Sequence, residues 1–414
     1  MKIEFVNHAS VIFEHGNVRL MTDAWIFGPA FNNGWKLLSA SKFTLKDFEK
    51  INYIWFSHEH ADHFSPRILK AIPIEVRKKL TILFQDTKDH RIAKKCKEWG
   101  YKIIEMKKDR FYKLSDGFRV KCNPVPFYDS WLYLEINGKK ILNLNDCIIN
   151  TVQLAEDIKN KIGTVDILLT QFGYASGIGN EDDVKKRIDA TVSELQKINL
   201  QIATFKPKFV IPFASFIRFA HIDNEYMNKD NNKIWDIAEM IAHKSIPLVL
   251  YPGDTFDDNT LWTDMTKRAI DRYRIDMEKP FELIETNIHY SIPELQKFAL
   301  DYIKHLKRKN NWFLVKHWAR KKIVVIRLAD TNLNVSFDLI DGIQLTSNPP
   351  NILMDSDSLG FCFLHDYGSD TLHVNGRYRT YNNSDLFFRL FHLGTLTNNG
   401  FSIINLYIDA LKRF

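Results

Sequence analysis

Cysteine is scarce in this sequence, and long apolar runs are missing. The 414 residues include four cysteines, which lie far apart and form no C-x-x-C pair. This spacing excludes a disulfide scaffold, a zinc ribbon and a self-contained iron–sulfur centre. No apolar stretch approaches the roughly 20 residues that a membrane helix needs, and the first residues have the pattern of a strand rather than of a signal peptide. We therefore expect a cytoplasmic protein that does not enter a membrane.

A strong excess of charge of either sign is also missing. The chain carries 57 Lys and Arg against 50 Asp and Glu, a formal net charge of +7. Hydrophobic residues make up 45% and charged residues 26% of the chain, which is typical of a globular protein with a large core and excludes a disordered chain or a coiled coil. At about 150 residues per domain, the length predicts two or three domains.

Short apolar runs separated by turns predict two halves built from strands and helices. Strands are predicted over 2–6, 10–14, 18–23, 53–57, 81–86, 101–106, 118–127, 131–136, 139–146, 166–172 and 209–215, and helices over 65–80, 92–100 and 182–205. Ser65 as N-cap and Pro66 at the first position favour a helix start at that point. The dipeptide Asn137-Gly138 is typical of a hairpin turn. This order predicts an α/β protein of four layers, with helices outside a β-sandwich.

The pattern changes near residue 265. A helical region around 268–308 is followed by predicted strands over 323–330, 333–340 and 370–379. We therefore predict a larger α/β domain over residues 1–262 and a smaller C-terminal α+β domain over residues 263–414.

The segment with the most distinctive chemistry is Ser57–His63, which directly follows the apolar run 53–57. His58 and His60 alternate, so in an extended chain both side chains point the same way and can bind one metal ion. Asp62 and His63 lie where the chain turns toward the next helix and can bind a second. Imidazole nitrogen with carboxylate oxygen suits zinc or non-haem iron rather than calcium or magnesium. A solvent-exposed polar loop explains the segment less well, because it lies between a buried strand and a capped helix.

The spacing H-x-H-x-D-H resembles the signature of the metallo-β-lactamase superfamily. The opening N-H-A-S and L-M-T-D-A-W resemble the first strands and the first Asp loop of that fold. This resemblance implies an αββα sandwich. It also implies that Asp146, which follows the strand containing KKIL, spans two metal ions; a plain turn residue is the alternative.

The resemblance is closer to one group within that superfamily. TDAWIFGPAFNNGWKLLS, FSHEHADHFS, NGKKILNLNDC and PFASFIRFAHIDNEYMNKDNNKIWD resemble the metallo-β-lactamase domain of the CMP-N-acetylneuraminate hydroxylase family. The similarity runs in patches to about Asp257 and continues weakly in DTLHVNGRYR. It implies an iron-dependent monooxygenase that binds two iron ions and O2. The family also carries a Rieske domain, which the four scattered cysteines exclude here, so we expect electrons to come from a separate electron-transfer protein.

Two histidines of the superfamily pattern are missing. Residues 123–129 precede the predicted strand 131–136 and contain no histidine, so Asp129 is the nearest substitute, or else a turn cap. The late histidine of the pattern falls in Pro212–Ser215, and His221 is the best substitute for it. The candidate metal ligands are then His58, His60, Asp62, His63, Asp146, Asp129 and His221. An oxygen-rich set of this kind weakens the case for a zinc hydrolase.

Other residues near these ligands are candidates for substrate binding. Arg218 and Lys229 flank His221 and could bind a substrate phosphate. Tyr174 lies in the glycine-containing loop 172–180, which could bind an anion or could be a plain loop after a strand. His8 is either a residue at the edge of the active site or an ordinary turn histidine.

These observations lead to three functional hypotheses. The first is a di-iron oxygenase that hydroxylates a small polar substrate, either anionic or nucleotide-sugar-like, with Asp62 in its catalytic centre. The second is a zinc hydrolase of a phosphoester, lactone or amide, in which Asp62 positions the metal-bound hydroxide. The third uses the basic stretch 304–322, whose aromatic residues could bind nucleic acid. A helix surface followed by a core strand explains that stretch better, so we expect no nucleic-acid partner.

Overall fold

The computed structural model of the protein describes residues 1–125 and 129–411. Its strands are β1 Lys2–Asn7, β2 Ser10–His15, β3 Val18–Thr22, β4 Trp35–Leu37, β5 Tyr53–Trp55, β6 Thr81–Gln85, β7 Lys102–Met106, β8 Phe111–Ser115, β9 Phe118–Pro124, β10 Ser130–Ile136, β11 Lys139–Asn145, β12 Ile167–Gln171, β13 Phe209–Phe213, β14 Ile217–Phe219, β15 Ile246–Pro247, β16 Thr255–Asp257, β17 Val324–Leu328, β18 Leu333–Asp338, β19 Gly342–Leu345, β20 Ile352–Met354 and β21 Arg379–Thr380. Its helices are α1 Pro66–Ala71, α2 Ile74–Arg77, α3 Arg91–Glu98, α4 Val152–Ile162, α5 Val184–Phe205, α6 Ile234–Ala242, α7 Trp262–Glu278, α8 Ile292–Lys309, α9 Trp312–Ala319, α10 Ser356–Leu364, α11 Gly368–Asn375, α12 Asp385–Asn398 and α13 Ile403–Leu411.

Two seven-stranded sheets form the larger part of the molecule. The first has the order β16-β1-β2-β3-β5-β6-β7, and the second has the order β15-β13-β12-β11-β10-β9-β8. In each sheet an antiparallel meander leads into parallel strands, through β3–β5 in the first and β11–β12 in the second. Because parallel strands end at the same edge of a sheet, the loops that follow them lie close together.

The side chains of these strands alternate between two hydrophobic layers, as the period of two requires. Trp55 and Leu83 pack between the two sheets against residues such as Leu132, whereas Ile54 and Ile82 face the helices α1 to α3. Helices α4 to α6 cover the outer face of the second sheet, and the buried residues that they contribute include Ala155, Ile158, Ile198, Ile202 and Ile237. The four-layer prediction is confirmed, and the architecture is the metallo-β-lactamase fold.

Two predicted elements are wrong in detail. The single helix over 65–80 is two short helices, because Pro73 lacks a backbone N–H and holds Ile72 in an extended conformation at ψ 131°. The predicted strand over 370–379 is instead mostly helix α11, which ends at Gly376 in the left-handed region at φ 67°. Only Arg379–Thr380 at its end pairs as a strand.

The C-terminal part has its own hydrophobic core. Its five strands have the order β19-β18-β17-β20-β21, and residues such as Leu295, Val324 and Phe391 pack together beneath the surrounding helices. Helix α7 contributes Tyr273 to the core of the larger part instead. The division into 1–262 and 263–414 stays a prediction.

The apolar content of the helices bears on the membrane prediction. In the part of the chain that the structure describes, no helix is both long enough and apolar enough to cross a bilayer. All four cysteines are buried and free, and burial raises the pKa of the Cys122 thiol to about 11. These thiols therefore pack as small hydrophobic groups.

The C-terminal part meets the larger part through a close approach of two backbones, which makes a testable contact. A Cβ at Gly376 would lie 3.0 Å from the Cα of Gly177 and 2.4 Å from the Met227 side chain. Gly376→Ala adds overpacking of about 1–3 kcal/mol to the strain of a left-handed residue, about 1–2 kcal/mol. Gly16→Ala, at φ 57° with open space around its Cβ, carries the strain alone. We expect Gly376→Ala to lower the thermal unfolding midpoint clearly more; equal losses would contradict this docking.

Candidate metal centre

The H-x-H-x-D-H segment forms a tight turn between β5 and α1. The backbone N–H groups of His63 and Phe64 both donate to the carbonyl of His60. The carbonyl of His63 then accepts a hydrogen bond of 3.0 Å from the N–H of Ala24, which follows β3. These bonds fix the turn at the carboxyl ends of two neighbouring parallel strands, so the side chains of the segment converge at one edge of the first sheet.

His58, His63 and Asp146 form a first group of close ligand atoms. One potential ligand atom from each lies within 4.8 Å of the others, and the His63 Nε2 to Asp146 Oδ2 distance is 3.2 Å. His60 adjoins this group at the solvent-exposed rim, with its Nδ1 2.9 Å from the Nε2 of His58. The predicted convergence of His58, His60, His63 and Asp146 is therefore present in the structure.

His8, Asp62 and His63 form a second group, which is entirely buried. The Oδ2 of Asp62 lies 3.0 Å from His8 Nε2 and 3.1 Å from His63 Nε2. His63 therefore belongs to both groups, with Asp62 on one side and Asp146 on the other. Because both carboxylates approach the same nitrogen, Nε2, this imidazole can bind one ion, and it places the two groups side by side in one centre.

Asp23, at the end of β3, fixes the orientation of His63 from behind. Its Oδ2 lies 3.1 Å from His63 Nδ1 and accepts a bond of 2.8 Å from the side-chain amide of Asn145. Its Oδ1 accepts a bond of 3.0 Å from the N–H of Ser57. A carboxylate that binds one imidazole nitrogen directs the other nitrogen toward a metal, as the partners of metal-bound histidines do.

Charge within the centre favours a bound cation. Burial on its own would raise the pKa of Asp62, but the charges of His63 and His8 and their hydrogen bonds hold it well below its usual value. Burial opposes charge on His63, yet Asp62, Asp146 and Asp23 together raise its pKa well above the usual range. Burial and the charge of His63 lower the pKa of His58 to about 4, so this imidazole is neutral, which is the form that binds metal.

The donor set fits a transition metal. The Oδ1 atoms of Asp62 and Asp146 are buried and have no hydrogen-bond partner among residues 1–125 and 129–411. An unpartnered buried carboxylate oxygen is costly, and a bound cation removes that cost. Imidazole nitrogens combined with carboxylate oxygens suit zinc or non-haem iron.

The two substitutes for the missing histidines lie in different places. Asp129 reaches the centre: its Oδ1 is 3.6 Å from His58 Nδ1, and burial raises its pKa to about 7. The residues just before it, 126–128, lie outside the described part of the chain. His221 belongs to neither ligand group. Its Nδ1 lies 2.9 Å from the Oδ2 of Asp223, and its buried Nε2 has no hydrogen-bond partner among the described residues. Both assignments stay predictions.

His8 is the residue of the site that the sequence patterns left open. It lies in the turn between β1 and β2, with 1% of its surface exposed and a left-handed backbone at φ 43°. The available signal was the position of N-H-A-S between two buried strands, where a histidine side chain has no access to solvent. That signal indicates burial, but it does not show that Asp62 is the partner of His8, because this contact exists only in the folded chain.

The candidate substrate residues lie around a separate cleft. Arg218 and Lys229 line a cavity of about 310 Å³ together with Lys233 and Phe281. The guanidinium of Arg218 donates to the carbonyl of Asp276 and lies 4.4 Å from the centroid of the Phe281 ring. Tyr174 is buried, and its hydroxyl donates to the carbonyl of Met227.

The fold and the two ligand groups define a metallo-β-lactamase-fold protein whose buried histidines and carboxylates are arranged as a metal centre.

No protein-family model matches the chain. Its sequence is similar to cytidine monophosphate-N-acetylneuraminic acid hydroxylases, which confirms the resemblance seen in its motifs. The hydroxylase of Danio rerio is 25% identical, over 83% of this chain and 61% of that protein. The hydroxylase of Asterias rubens is 27% identical, over 75% of this chain and 51% of that protein.

The chain thus spans about half to three-fifths of the length of these relatives. Among solved structures, CmlA, a diiron β-hydroxylase from Streptomyces venezuelae, has a TM-score of 0.44 and 14% identity, over 62% of this chain and 53% of CmlA.

His63 belongs to both ligand groups, so its replacement tests the assignment of the metal centre. We expect His63→Ala to lose at least one metal ion, because its Nε2 is a candidate ligand atom in both groups, and His58→Ala to lose the ion of the first group. Metal per chain, measured by plasma mass spectrometry after desalting, checks this. His15→Ala, in the neighbouring strand β2 and outside both groups, should keep the wild-type content. A His63→Ala protein with full metal content would refute the assignment.

Proposed function

We propose that the protein is a metal-dependent oxygenase that uses two iron ions and O2 to hydroxylate a small polar substrate. The observation that carries the proposal is the centre in which His63 lies between Asp62 and Asp146. The sequence similarity to hydroxylases over most of the chain supports an oxygenase and not another use of the same metals. Iron, when bound, supplies the reduction of O2 that hydroxylation of a C–H bond requires.

The proposed ligands divide between the two metal positions. His58, His60 and Asp146 hold the first, with Asp129 as a further oxygen ligand, and Asp62 with His63 holds the second, with His221 as the completion that the sequence pattern predicts. Asp62 is the proposed catalytic carboxylate, because its Oδ2 meets two imidazole nitrogens at 3.0 and 3.1 Å. The oxygen-rich set supports iron over the closed, nitrogen-rich site that a zinc hydrolase needs.

Aromatic side chains limit the water that reaches the ligands. The ring of Trp25 lies 5.4 Å from that of His8, and the ring of Phe31 lies 5.8 Å from that of His60. Trp25 and Phe31 pack in one buried cluster with Trp35. In such a dry environment the charges of the ligands act more strongly than in water, and a substrate is held away from competing solvent.

An anionic group of the substrate binds the cleft that Arg218, Lys229 and Lys233 line. Burial lowers the pKa of both Arg218 and Lys233, so a bound anion would stabilise their charged forms. The Lys229 side chain is exposed and lines the same cleft. Tyr174 contributes through its backbone, whose N–H donates to Asn231 Oδ1 at 3.2 Å and so holds a residue of the cleft in place.

Electrons reach the centre from outside these 414 residues, and we take the donor to be a separate electron-transfer protein. The support for this is the cysteine content: the four thiols are buried and free, and an iron–sulfur cluster needs several converging cysteine ligands. The buried thiols also support a reducing cytoplasm as the compartment.

The oxygenase proposal predicts an O2-dependent product. Protein purified without added metal should contain mainly iron, and with a chemical reductant and O2 it should add one oxygen atom to CMP-N-acetylneuraminate or to a related anionic sugar. Mass spectrometry of the products and ¹⁸O₂ labelling check both points. Zinc in the purified protein, together with anaerobic hydrolysis of a phosphoester, lactone or amide, would instead establish the hydrolase.

The cleft makes an independent prediction about anion binding. Lys229→Gln removes one charge-assisted hydrogen bond, worth about 1.5–3 kcal/mol, so the dissociation constant for CMP should rise about 10- to 100-fold. Lys244→Gln, at an exposed lysine outside the cleft, is the matched control and should bind CMP like the wild type. Calorimetry at low and high salt measures both. Equal affinity in the two variants would place the anion elsewhere.

A further inference from the structure

The sequence lacks a histidine at the end of β13, where the superfamily pattern expects one. The position falls in Pro212–Ser215, and Ala214, the first residue after β13, has a methyl side chain that cannot bind a metal. The backbone N–H of Ala214 donates to the carbonyl of His8 at 3.0 Å. The turn between β1 and β2, from the first sheet, therefore meets the end of β13, from the second sheet, at the place where a ligand is missing.

The imidazole of His8 extends from this meeting point into the metal centre. Its Nε2 lies 3.0 Å from Asp62 Oδ2, and ligand atoms of His8, Asp62 and His63 lie within 4.8 Å of one another. We propose that His8 is a metal ligand and supplies, from the first turn of the chain, the imidazole that is absent after β13. This inference rests on the metal centre of the proposed function and assigns it a ligand outside the H-x-H-x-D-H segment.

The turn holds His8 firmly in this place. The backbone at φ 43° is an uncommon conformation for a residue with a side chain, and such conformations persist only where the surroundings fix them. The N–H of His8 donates to Asn7 Oδ1 at 3.0 Å, and the amide of Asn7 donates to the carbonyl of Ser39 at 2.9 Å. The rings of Trp25 and His8 pack in a T-shaped arrangement with centroids 5.4 Å apart, which limits the rotation of the imidazole.

His221 is the competing candidate for the same ligand position. Its Nδ1 accepts a hydrogen bond of 3.2 Å from the N–H of Asp223 and lies 2.9 Å from the carboxylate of that residue. Asp223 also lies 3.5 Å from the buried Arg377 of the C-terminal part. These contacts engage Nδ1 and leave the buried Nε2 without a hydrogen-bond partner among the described residues. His221 nevertheless belongs to no ligand group, whereas His8 Nε2 lies 3.0 Å from the carboxylate of the second position.

A cobalt titration of the metal-free protein distinguishes a ligand from a residue that only hydrogen-bonds Asp62. The wild type should bind two Co²⁺ per chain. His8→Ala and His8→Gln should both bind the second ion about 100-fold more weakly or not at all, since a ligand matters at least as much as the partners that orient it. Imidazole added to the buffer should restore the second ion in His8→Ala and its visible absorption spectrum. His221→Ala should bind both ions, and His15→Ala controls for the loss of a nearby histidine.

Each outcome decides the question. His8→Gln with two tightly bound ions and an unchanged spectrum would leave His8 as a hydrogen-bonding residue and overturn the inference. Loss of the second ion in His221→Ala alone would assign the ligand to His221. A wild type that binds no cobalt would overturn the metal centre itself, and with it this inference. Thermal unfolding of each metal-free variant shows whether a loss of binding comes from loss of the fold.

Discussion

The structure depends most on one buried imidazole that three carboxylates surround. His63 has no exposed surface, and oxygen atoms of Asp23, Asp62 and Asp146 lie 3.1 to 3.2 Å from its two nitrogens. Like charges brought this close in a dry interior repel strongly. The arrangement therefore requires positive charge, and a pair of metal ions supplies it in the proposed enzyme. The three carboxylates lie after the ends of β3, β5 and β11, which bring them together around this imidazole.

The C-terminal part contacts the centre from the solvent side. Arg91 donates to Glu59, the residue between His58 and His60, and its guanidinium lies 4.6 Å from the centroid of the Tyr367 ring. Asn375 donates a bond of 3.0 Å to the carbonyl of Phe31, whose ring packs against His60. The C-terminal part thus holds both neighbours of the exposed ligand His60.

Sequence patterns were most informative where chemistry is local. His58, His60, Asp62 and His63 lie within one turn after one strand, so spacing alone predicts that they converge. Asp146 lies far from this segment in the sequence, and the resemblance to the family was enough to name it as a candidate ligand. His8 could not be found in this way, because its partner Asp62 lies 54 positions along the chain and the contact forms only when β1 to β5 assemble into the first sheet. The helix break at Pro73 could have been predicted from the sequence, because a proline inside a helix removes a backbone hydrogen bond.

The central claim is that two metal ions share this centre through nitrogen and oxygen ligands. X-ray absorption at the iron edge of the iron-loaded protein tests it most directly, because the spectrum reports the donor atoms and any neighbouring metal. We expect nitrogen and oxygen donors only, the multiple scattering of several imidazoles, and a second iron in the outer shell. Sulfur among the donors, or a single iron without imidazole scattering, would contradict it.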